Sequence, residues 1–369
     1  MRLLRRSPLG ADWRLRGMIK VLVVDDSPVA RELIVHILNS DPKIQVIGTA
    51  QNGKEALEFL KTNKPDIISM DINMPVMDGF TATRHIMETD PIPVVIVTSA
   101  WDVKEQSTIF RTLEAGALTV LDKPRGIGHP DYEQQAKELA TTIKLMSEIK
   151  VMRRWKKTDK NAVLEKPAPK PKIVDYNAEI RLIAVGASTG GPPVLQTILS
   201  RIPPNFPVPI LIVQHISAGF LQGMVNWLAE TTNHSIRIAN DGEHVQPGQV
   251  YFAPDNIHIG VKSDGKMFLH DGEPENCVRP SVSYLFRSIA QNYGAGAVGI
   301  LLTGMGKDGA RELKMMRDAK AFTIAQDEQS SVVYGMPGEA VKLDGAAYVL
   351  KPEEIAHAIQ RIVKTHKID

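Results

Sequence analysis

A serine lies among small residues at 186–191, where the sequence reads GASTGG directly after the apolar run IRLIAV. Gly186, Ser188 and Gly190 satisfy the pattern G-x-S-x-G, which is typical of an exposed serine on a sharp turn between a strand and a helix. The segment does not spell G-x-G-x-x-G, and it lacks the Gly-Lys-Ser/Thr ending of a phosphate-binding loop. By itself this stretch allows a nucleophile, a phosphate-binding turn or a purely structural turn.

A serine hydroxyl near pH 7 needs a base within reach before it can act as a nucleophile. His215 ends the apolar run PILIVQH, and Asp308 lies in LLTGMGKDG, a Gly-rich segment that follows another apolar run. Three strand ends would then bring Ser188, His215 and Asp308 to one edge of a sheet, which predicts acyl transfer to water by a serine triad. The chain order Ser, His, Asp differs from that of the α/β-hydrolases, so the triad would be an independent solution.

A second group of polar residues follows apolar runs in the first third of the chain. Its members are Asp25, Asp26, Asp71, Thr98 and Lys123. Three carboxylates brought together repel one another, and a hard divalent cation such as Mg²⁺ relieves that repulsion. A lysine ammonium and a hydroxyl can bind phosphoryl oxygens beside such a cation. The group predicts transfer of a phosphoryl group onto a carboxylate, although each residue alone would fit an ordinary strand end.

Short β-branched strands that alternate with helices must position both groups. The first third has strand patterns at KVLVVDD (20–26), DIISMD (66–71), PVVIVTS (93–99) and ALTVLDKP (117–124). Later strand patterns are IRLIAVGAS, VPILIVQHI, GQVYFAP, GAVGILLTG and AFTIAQ. Segments such as SPVARELIVHILNS and KDGARELKMMRDA have helical spacing. Repeated β-α units predict parallel sheets covered by helices, with ligands at the carboxyl ends of the strands.

Length and composition limit the class of protein. A chain of 369 residues suggests two domains, and 43% hydrophobic with 23% charged residues is ordinary for a globular protein. No apolar run approaches the roughly 20 residues that span a bilayer, so no membrane insertion is expected. Cys277 cannot form an internal disulfide, which favours the cytoplasm, and as a lone cysteine it is expected to be a buried small hydrophobic residue.

Two basic stretches lie outside the strand and helix patterns. Residues 1–17 hold five arginines against one aspartate with no signal-peptide core, which favours a disordered extension or an over-long gene start. Residues 150–175 carry nine Lys or Arg against three acidic residues around KPAPKPK, the composition of an extended linker rather than a nucleic-acid-binding arm. We therefore expect domains at 18–142 and 179–369, joined by a basic, Pro-rich linker at 143–178.

Residues 18–142 resemble the receiver domain of two-component response regulators. The resemblance rests on LVVDDS, MDINMPVMDG, VTSA and DKP in that order. It implies a flavodoxin-like fold with a five-stranded parallel sheet and a histidine kinase that phosphorylates Asp71. The implied site residues are Asp25, Asp26, Asp71 and the carbonyl of Asn73 for Mg²⁺, and Thr98 and Lys123 for phosphate readout. Receivers often carry Tyr or Phe where this chain has Val120, so an aromatic-rotamer switch is not expected here.

Residues 179–369 resemble the chemotaxis protein-glutamate methylesterase family. The motifs that carry this resemblance are GASTGGP, VQHI, LTGMGKDG and AQDEQSSVVYGMP. It implies a Rossmann-like α/β domain without a cofactor, in which Ser188 is the nucleophile, His215 the general base and acid, and Asp308 the residue that holds the imidazole. The backbone near Met305 would contribute to the oxyanion site. The chain departs from the family at Ser283, where Asp is usual, and at Gly338, where a basic residue is usual.

Together the two resemblances imply a phosphorylation-activated hydrolase of glutamate methyl esters on chemoreceptors, with deamidation of glutamine by the same chemistry. The implied partners are chemoreceptors and a chemotaxis-type histidine kinase, with no nucleic acid. The unphosphorylated receiver would cover the esterase cleft. Two other interpretations stay open on the residues alone: a second domain that only binds DNA or a protein, and a nucleotide-binding output domain. Against the first, residues 179–369 show no compact helix-turn-helix and no basic recognition helix.

Overall fold

The structure is a computed structural model that describes residues 17–99, 103–149, 151, 176 and 178–364, apart from the side chains of 103–107 and 364. The chain divides into two compact units, each containing one parallel sheet. The expected extension at 1–17 falls almost entirely outside the described residues. Most of the expected linker at 143–178 also falls outside them.

The first sheet has the strand order β2-β1-β3-β4-β5, and all of its strand pairs are parallel. The elements are β1 Ile19–Val24, α1 Pro28–Asn39, β2 Ile44–Ala50, α2 Gly53–Leu60, β3 Ile67–Met70, α3 Gly79–Thr89, β4 Val94–Thr98, α4 Val103–Ala115, β5 Thr119–Asp122 and α5 Tyr132–Met146. Helix α5 continues four residues past the expected domain boundary at 142. The carboxyl ends of β1 and β3, which neighbour each other, lead into the acidic residues.

The second sheet has the order β14-β13-β12-β6-β7-β9-β8, and its strand pairs are also parallel. Its elements begin with β6 Leu182–Ala187, α6 Gly191–Leu199, β7 Ile210–Gln214, α7 Leu221–Thr232, β8 Ser235–Ile238 and β9 Gln249–Phe252. A separate antiparallel pair follows, β10 His258–Val261 and β11 Met267–His270. The remaining elements are α8 Val282–Asn292, β12 Ala297–Leu301, α9 Ala310–Asp318, β13 Phe322–Gln326, α10 Met336–Lys342, β14 Tyr348–Leu350 and α11 Pro352–Lys364.

Strand β6 lies at the point where the strand order reverses, because β7 is added on one side and β12 on the other. Helices after β6 and after β12 therefore leave in opposite directions, and this opens a crevice at the carboxyl ends of these strands. Every residue of β6, β7 and β12 is buried. These strands supply a rigid, apolar base for the loops that follow them.

The α/β fold with parallel sheets is confirmed, and all nine strand patterns quoted above form strands. The patterns missed β2, β8, β14 and the β10–β11 pair. Strands β8 and β14 are short edge strands with exposed positions, so their apolar alternation is weak. Among the described residues, no helix is both long and apolar enough to cross a membrane.

The expectation that Cys277 is buried was wrong, because its side chain is exposed. Asn276 and Cys277 form a two-residue turn, and Glu275 and Val278 exchange both backbone hydrogen bonds across it. Both turn residues have positive φ, 53° and 66°. Tight turns of this type project their central side chains away from the paired backbone. Local turn geometry therefore outweighed the preference of cysteine for burial.

Candidate active site and phosphoacceptor site

Three neighbouring strand ends bring Ser188, His215 and the loop of Asp308 together. Ser188 follows β6, and its N–H donates to the Thr303 carbonyl beyond β12 at 3.0 Å. On the other side, the N–H of His215 donates to the Ala187 carbonyl at 2.9 Å. The three residues predicted to form the triad therefore lie at one edge of the sheet.

Ser188 is half-buried on a sharp turn that the glycines around it permit. Gly190 has φ of 78°, and the N–H of Gly191, the first residue of α6, donates back to the Ser188 carbonyl at 2.8 Å. A Cβ on Gly304 would lie 2.7 Å from the Ser188 Cβ, so that loop can approach the serine only with glycine at this position. The geometry fits a strand-to-helix turn that presents a serine.

Gln214 links the backbones of Ser188 and His215, and sequence reasoning missed it. Its Nε2 donates to the carbonyls of Ser188 at 2.9 Å and of His215 at 2.8 Å, while its side chain is buried. Both amide protons are used in this way. Because Gln214 ends a strand directly before His215, its polar side chain in an otherwise apolar run was the available signal.

Asp308 faces His215 in a buried position. The Nε2 of His215 lies 3.1 Å from Oδ2 of Asp308, with side-chain exposures of 15% and 4%. The contact is short but not aligned as a linear hydrogen bond, and within the described part of the chain Nε2 has no well-aligned hydrogen-bond partner. Catalytic hydrogen bonds are often poorly aligned before substrate binds. The contact orients the imidazole so that Nε2 faces Asp308 and Nδ1 is the ring nitrogen that does not.

Four further donors hold the Asp308 carboxylate. Oδ1 accepts from Ser281 Oγ at 2.7 Å, Asn276 Nδ2 at 2.9 Å and the Ser283 N–H at 3.2 Å, and Oδ2 accepts from the Val282 N–H at 2.6 Å. Burial alone would raise the pKa of Asp308, but the close contact with the His215 imidazole, together with the serine donors, holds that pKa well below its ordinary value. The carboxylate is therefore a fixed negative charge behind the imidazole.

The acidic residues at the first sheet form a compact cluster. One carboxylate oxygen each from Asp25, Asp26 and Asp71 lies within 4.8 Å of the others. The Nζ of Lys123 lies 2.9 Å from Oδ2 of Asp25 and 2.9 Å from Oδ2 of Asp71. Oδ1 of Asp71 is buried without a hydrogen-bond donor among the described residues. Clustered carboxylates with an unused buried oxygen fit a hard divalent cation.

Comparisons with known proteins identify the family of this chain. The CheB methylesterase family model matches residues 183–359, and the response regulator receiver domain model matches residues 21–129. A protein-glutamate methylesterase/protein-glutamine glutaminase from Syntrophus aciditrophicus is 52% identical over 94% of this chain and 98% of its own length. This chain belongs to that family.

A second relative agrees with this assignment, and a solved structure is similar to part of the chain. A methylesterase/glutaminase from Nitrosospira multiformis is 50% identical over 94% of this chain and 97% of its own length. The crystal structure of the Thermotoga maritima CheB methylesterase catalytic domain is 35% identical, with a TM-score of 0.48, over 51% of this chain and 100% of that chain. The matched family is one of methylesterases and glutaminases. Neither rival interpretation, a second domain that only binds DNA or a protein or a nucleotide-binding output domain, corresponds to that family.

The remaining receiver residues of this methylesterase/glutaminase family member lie in or directly after strands of the first sheet. Thr98 is buried at the end of β4, Asn73 is exposed in the loop after β3, and Val120 is buried in β5. Burial raises the pKa of Asp25, against the opposing effect of Lys123. Burial alone would lower the pKa of Lys123, but its pairing with Asp71 and Asp25 raises it overall.

The remaining esterase positions lie on loops beside Ser188. Met305 is 43% exposed and directly follows Gly304, which contacts the serine. Ser283 is buried and donates its N–H to Asp308, so this departure from the family pattern lies beside the triad. Gly338 lies under the ring of Tyr334, where a Cβ would meet the ring at 2.9 Å. A basic side chain at 338 would require the ring to move.

Proposed function

We propose that this protein hydrolyses glutamate methyl esters on chemoreceptors, deamidates glutamine by the same chemistry, and is activated by phosphorylation of Asp71. The observation that carries the proposal is the convergence of Ser188, His215 and Asp308 at three adjacent strand ends. Family membership supports the substrate class, since the relatives are named protein-glutamate methylesterase/protein-glutamine glutaminase.

In the proposed reaction, Ser188 Oγ attacks the side-chain carbonyl carbon of the ester while His215 takes the hydroxyl proton. The tetrahedral intermediate collapses, the bond to the methoxy oxygen breaks, and His215 returns the proton so that methanol leaves. Water then attacks the acyl-enzyme with His215 as base, and glutamate and free Ser188 result. With a glutamine substrate, the leaving group is ammonia.

Asp308 supports this chemistry as a charge that stays in place. Because His215 presents Nε2 to Asp308, Nδ1 is the nitrogen available to exchange the proton with Ser188. The carboxylate stabilises the imidazolium that forms during attack without itself taking the proton. Backbone N–H groups near Met305, on the loop against Ser188, are the proposed donors to the oxyanion.

At the first sheet, Asp71 is the proposed phosphoacceptor, with Thr98 and Lys123 contacting the phosphoryl oxygens. Asp25, Asp26 and the Asn73 carbonyl, with Asp71, would hold Mg²⁺. When bound, the cation supplies positive charge to the phosphoryl oxygens. Lys123 already lies against Asp71, so its ammonium is positioned to pair with a phosphoryl group on that carboxylate.

The proposed partners are chemoreceptors and a chemotaxis-type histidine kinase, with no nucleic acid involved. The proposed domains are a receiver at 18–142 and a catalytic domain without a cofactor at 179–369. A cytoplasmic location is proposed because the sequence has one cysteine and so no internal disulfide.

The esterase proposal is tested by methanol release from methylated chemoreceptor. Ser188→Ala should reduce turnover by roughly four to six orders of magnitude, because the attacking oxygen is lost. Ser263→Ala, in the exposed turn between β10 and β11, is the matched control and should keep wild-type turnover. Wild-type turnover in Ser188→Ala would overturn the proposal.

The regulatory proposal is tested with acetyl phosphate as phosphodonor in the presence of Mg²⁺. Asp71→Asn should abolish the stimulation of methanol release, because an amide cannot accept the phosphoryl group. Asp90→Asn, which removes an exposed acid from the same unit, should leave the stimulation intact. Stimulation of Asp71→Asn to the wild-type level would contradict the assigned role.

A further inference from the structure

The hydroxyl of Ser283, at the start of α8, is contacted by three polar groups. Ser283 Oγ donates to Glu312 Oε2 at 2.6 Å, and it accepts from the Gly309 N–H at 2.9 Å and from Asn276 Nδ2 at 3.1 Å. A hydroxyl has one proton and two lone pairs, so these contacts use its whole capacity. Because a carboxylate can only accept, Glu312 makes the proton point toward α9 and leaves both lone pairs for the other two groups.

Both of the accepted hydrogen bonds lead to Asp308. Gly309 directly follows Asp308 and has φ of 78°, so its bond to Ser283 holds the left-handed turn that presents the carboxylate. Asn276 uses the same amide nitrogen to donate to Asp308 Oδ1 at 2.9 Å. Rotation of the Ser283 proton toward either group would therefore break one of the two connections.

Glu312 is a nearly buried acid that the proposed mechanism does not otherwise use. It is 9% exposed in the first turn of α9, where the helix dipole favours negative charge. Its Oε1 lies 3.9 Å from Nη1 of Arg287, and Arg287 also pairs with Glu275. Burying a carboxylate is unfavourable unless it is paired, and Glu312 is paired directly behind the triad.

We propose that Glu312 is a positioning residue for Asp308 and acts through the oriented hydroxyl of Ser283. This inference rests on the proposed esterase function, and it concerns the residues that hold Asp308 in position beside His215 in the same site. Glu312 and Ser283 are both buried, and Ser283 lies between Glu312 and Asp308, so neither is placed to touch the substrate. Loss of the arrangement should therefore alter the alignment of Asp308 with His215 rather than substrate binding.

The test measures kcat and KM for methanol release by the full-length protein, activated with acetyl phosphate and Mg²⁺ and assayed below each variant's unfolding temperature. Glu312→Gln can donate to Ser283 Oγ and so reverse the hydroxyl proton, and Ser283→Ala removes the hydroxyl. Each should lower kcat by about 10- to 100-fold, the effect of a small misplacement of catalytic groups, with KM within about two-fold of wild type. Asp318→Asn, an exposed acid at the end of α9, is the matched control and should keep wild-type kcat.

A double variant that moves the acidic side chain from position 312 to position 283 distinguishes an effect on positioning from an effect on general packing. In Ser283→Asp/Glu312→Gln, an acceptor-only group at 283 can accept from Gly309 and Asn276 without an oriented proton, so kcat should be higher than in Glu312→Gln. Ser283→Asp alone brings two carboxylates together and should be less active than the double variant.

Wild-type kcat in both single variants, a raised KM at unchanged kcat, or a double variant no more active than Glu312→Gln would each overturn the inference. A wild-type protein that releases no methanol would overturn the proposed function and this inference with it. An active wild type with unaffected variants would overturn this inference alone.

Discussion

At the scale of single residues, the proposed triad depends on donors that hold Asp308 in its ionised form. Three of its hydrogen bonds end on Oδ1 and one on Oδ2, which also faces His215. Folding therefore favours the charged carboxylate, and the pKa of Asp308 is lower in the folded protein than in the unfolded chain. Its contribution to stability is complete above about pH 4, the ordinary range for aspartate, and is lost as the pH falls below that value.

Asp308→Asn tests this linkage directly. We expect the free energy of unfolding to fall by about 1–3 kcal/mol at pH 7, because an amide places N–H groups against existing donors. The difference from wild type should shrink at pH 3, because the Asp308 carboxylate of the unfolded wild-type chain takes up a proton there while the folded carboxylate stays ionised. Methanol release should fall by about 10³- to 10⁴-fold at pH 7. Urea denaturation at both pH values is the measurement, and an equal difference at both would contradict the assignment.

Ser188, His215 and Asp308 could be chosen from the sequence because each follows a recognisable apolar run. Asn276 and Ser281 could not, because their contribution is a hydrogen bond to a residue about 30 positions away. No local pattern records such a contact. Glu312 could not be chosen for the same reason, because its sequence position is that of an ordinary acid in the first turn of a helix.

At the scale of secondary-structure elements, Gln214 and Gly191 determine how β6, β7 and α6 meet. The Gln214 amide bridges the carbonyls of Ser188 and His215, and its Oε1 lies against the first residue of α6. A Cβ on Gly191 would be 2.1 Å from that oxygen. Only glycine at 191 lets the helix begin this close to the bridging amide.

Gly191→Ala should therefore affect stability and activity together. Displacing the Gln214 amide should lower the free energy of unfolding by about 1–3 kcal/mol, the usual effect of overpacking. It should also lower kcat by about 10- to 100-fold through misplacement of Ser188 relative to His215. Gly126→Ala is the control, since its Cβ would meet nothing within 4 Å. Wild-type kcat in Gly191→Ala would show that the bridge does not position the pair.

At the scale of the whole molecule, two units carry two separate kinds of chemistry. The acidic cluster and Lys123 lie at the first sheet, and the serine, histidine and aspartate lie at the second. In both sheets the reactive groups lie beside the strand where the strand order reverses, β1 in one and β6 in the other. One topological rule therefore places both sites.

Cation binding should raise the thermal stability of the full-length protein. The proposed Mg²⁺ site exists only in the folded protein, so the cation at about 100 times its Kd should add about 2.7 kcal/mol to the stability of the folded unit. We expect an unfolding transition to move up by several degrees in differential scanning calorimetry. Asp26→Asn should remove most of that shift, and Asp90→Asn should keep it. An equal shift in Asp26→Asn would contradict the proposed ligand set.

The strands that could be predicted are the buried ones, since burial on both faces produces continuous apolar runs such as those of β6 and β7. Strand β2 was missed because its apolar residues are interrupted by polar residues and Gly48. The edge strands β8 and β14 take their strand conformation from pairing with β9 and β13. A local sequence pattern cannot predict a strand whose conformation depends on pairing with a strand distant in sequence.

The sequence by itself determined the fold class through apolar periodicity, and its motifs pointed to the family and to two groups of candidate residues, because periodicity and strand-end motifs are local properties of the chain. Only the tertiary structure decided which side chains support those groups. Gln214, Asn276, Ser281 and Glu312 act through contacts between distant segments, and Cys277 is exposed by a turn. Hydrogen-bond direction and burial depend on the packed arrangement of all neighbours, and that arrangement exists only in the folded protein.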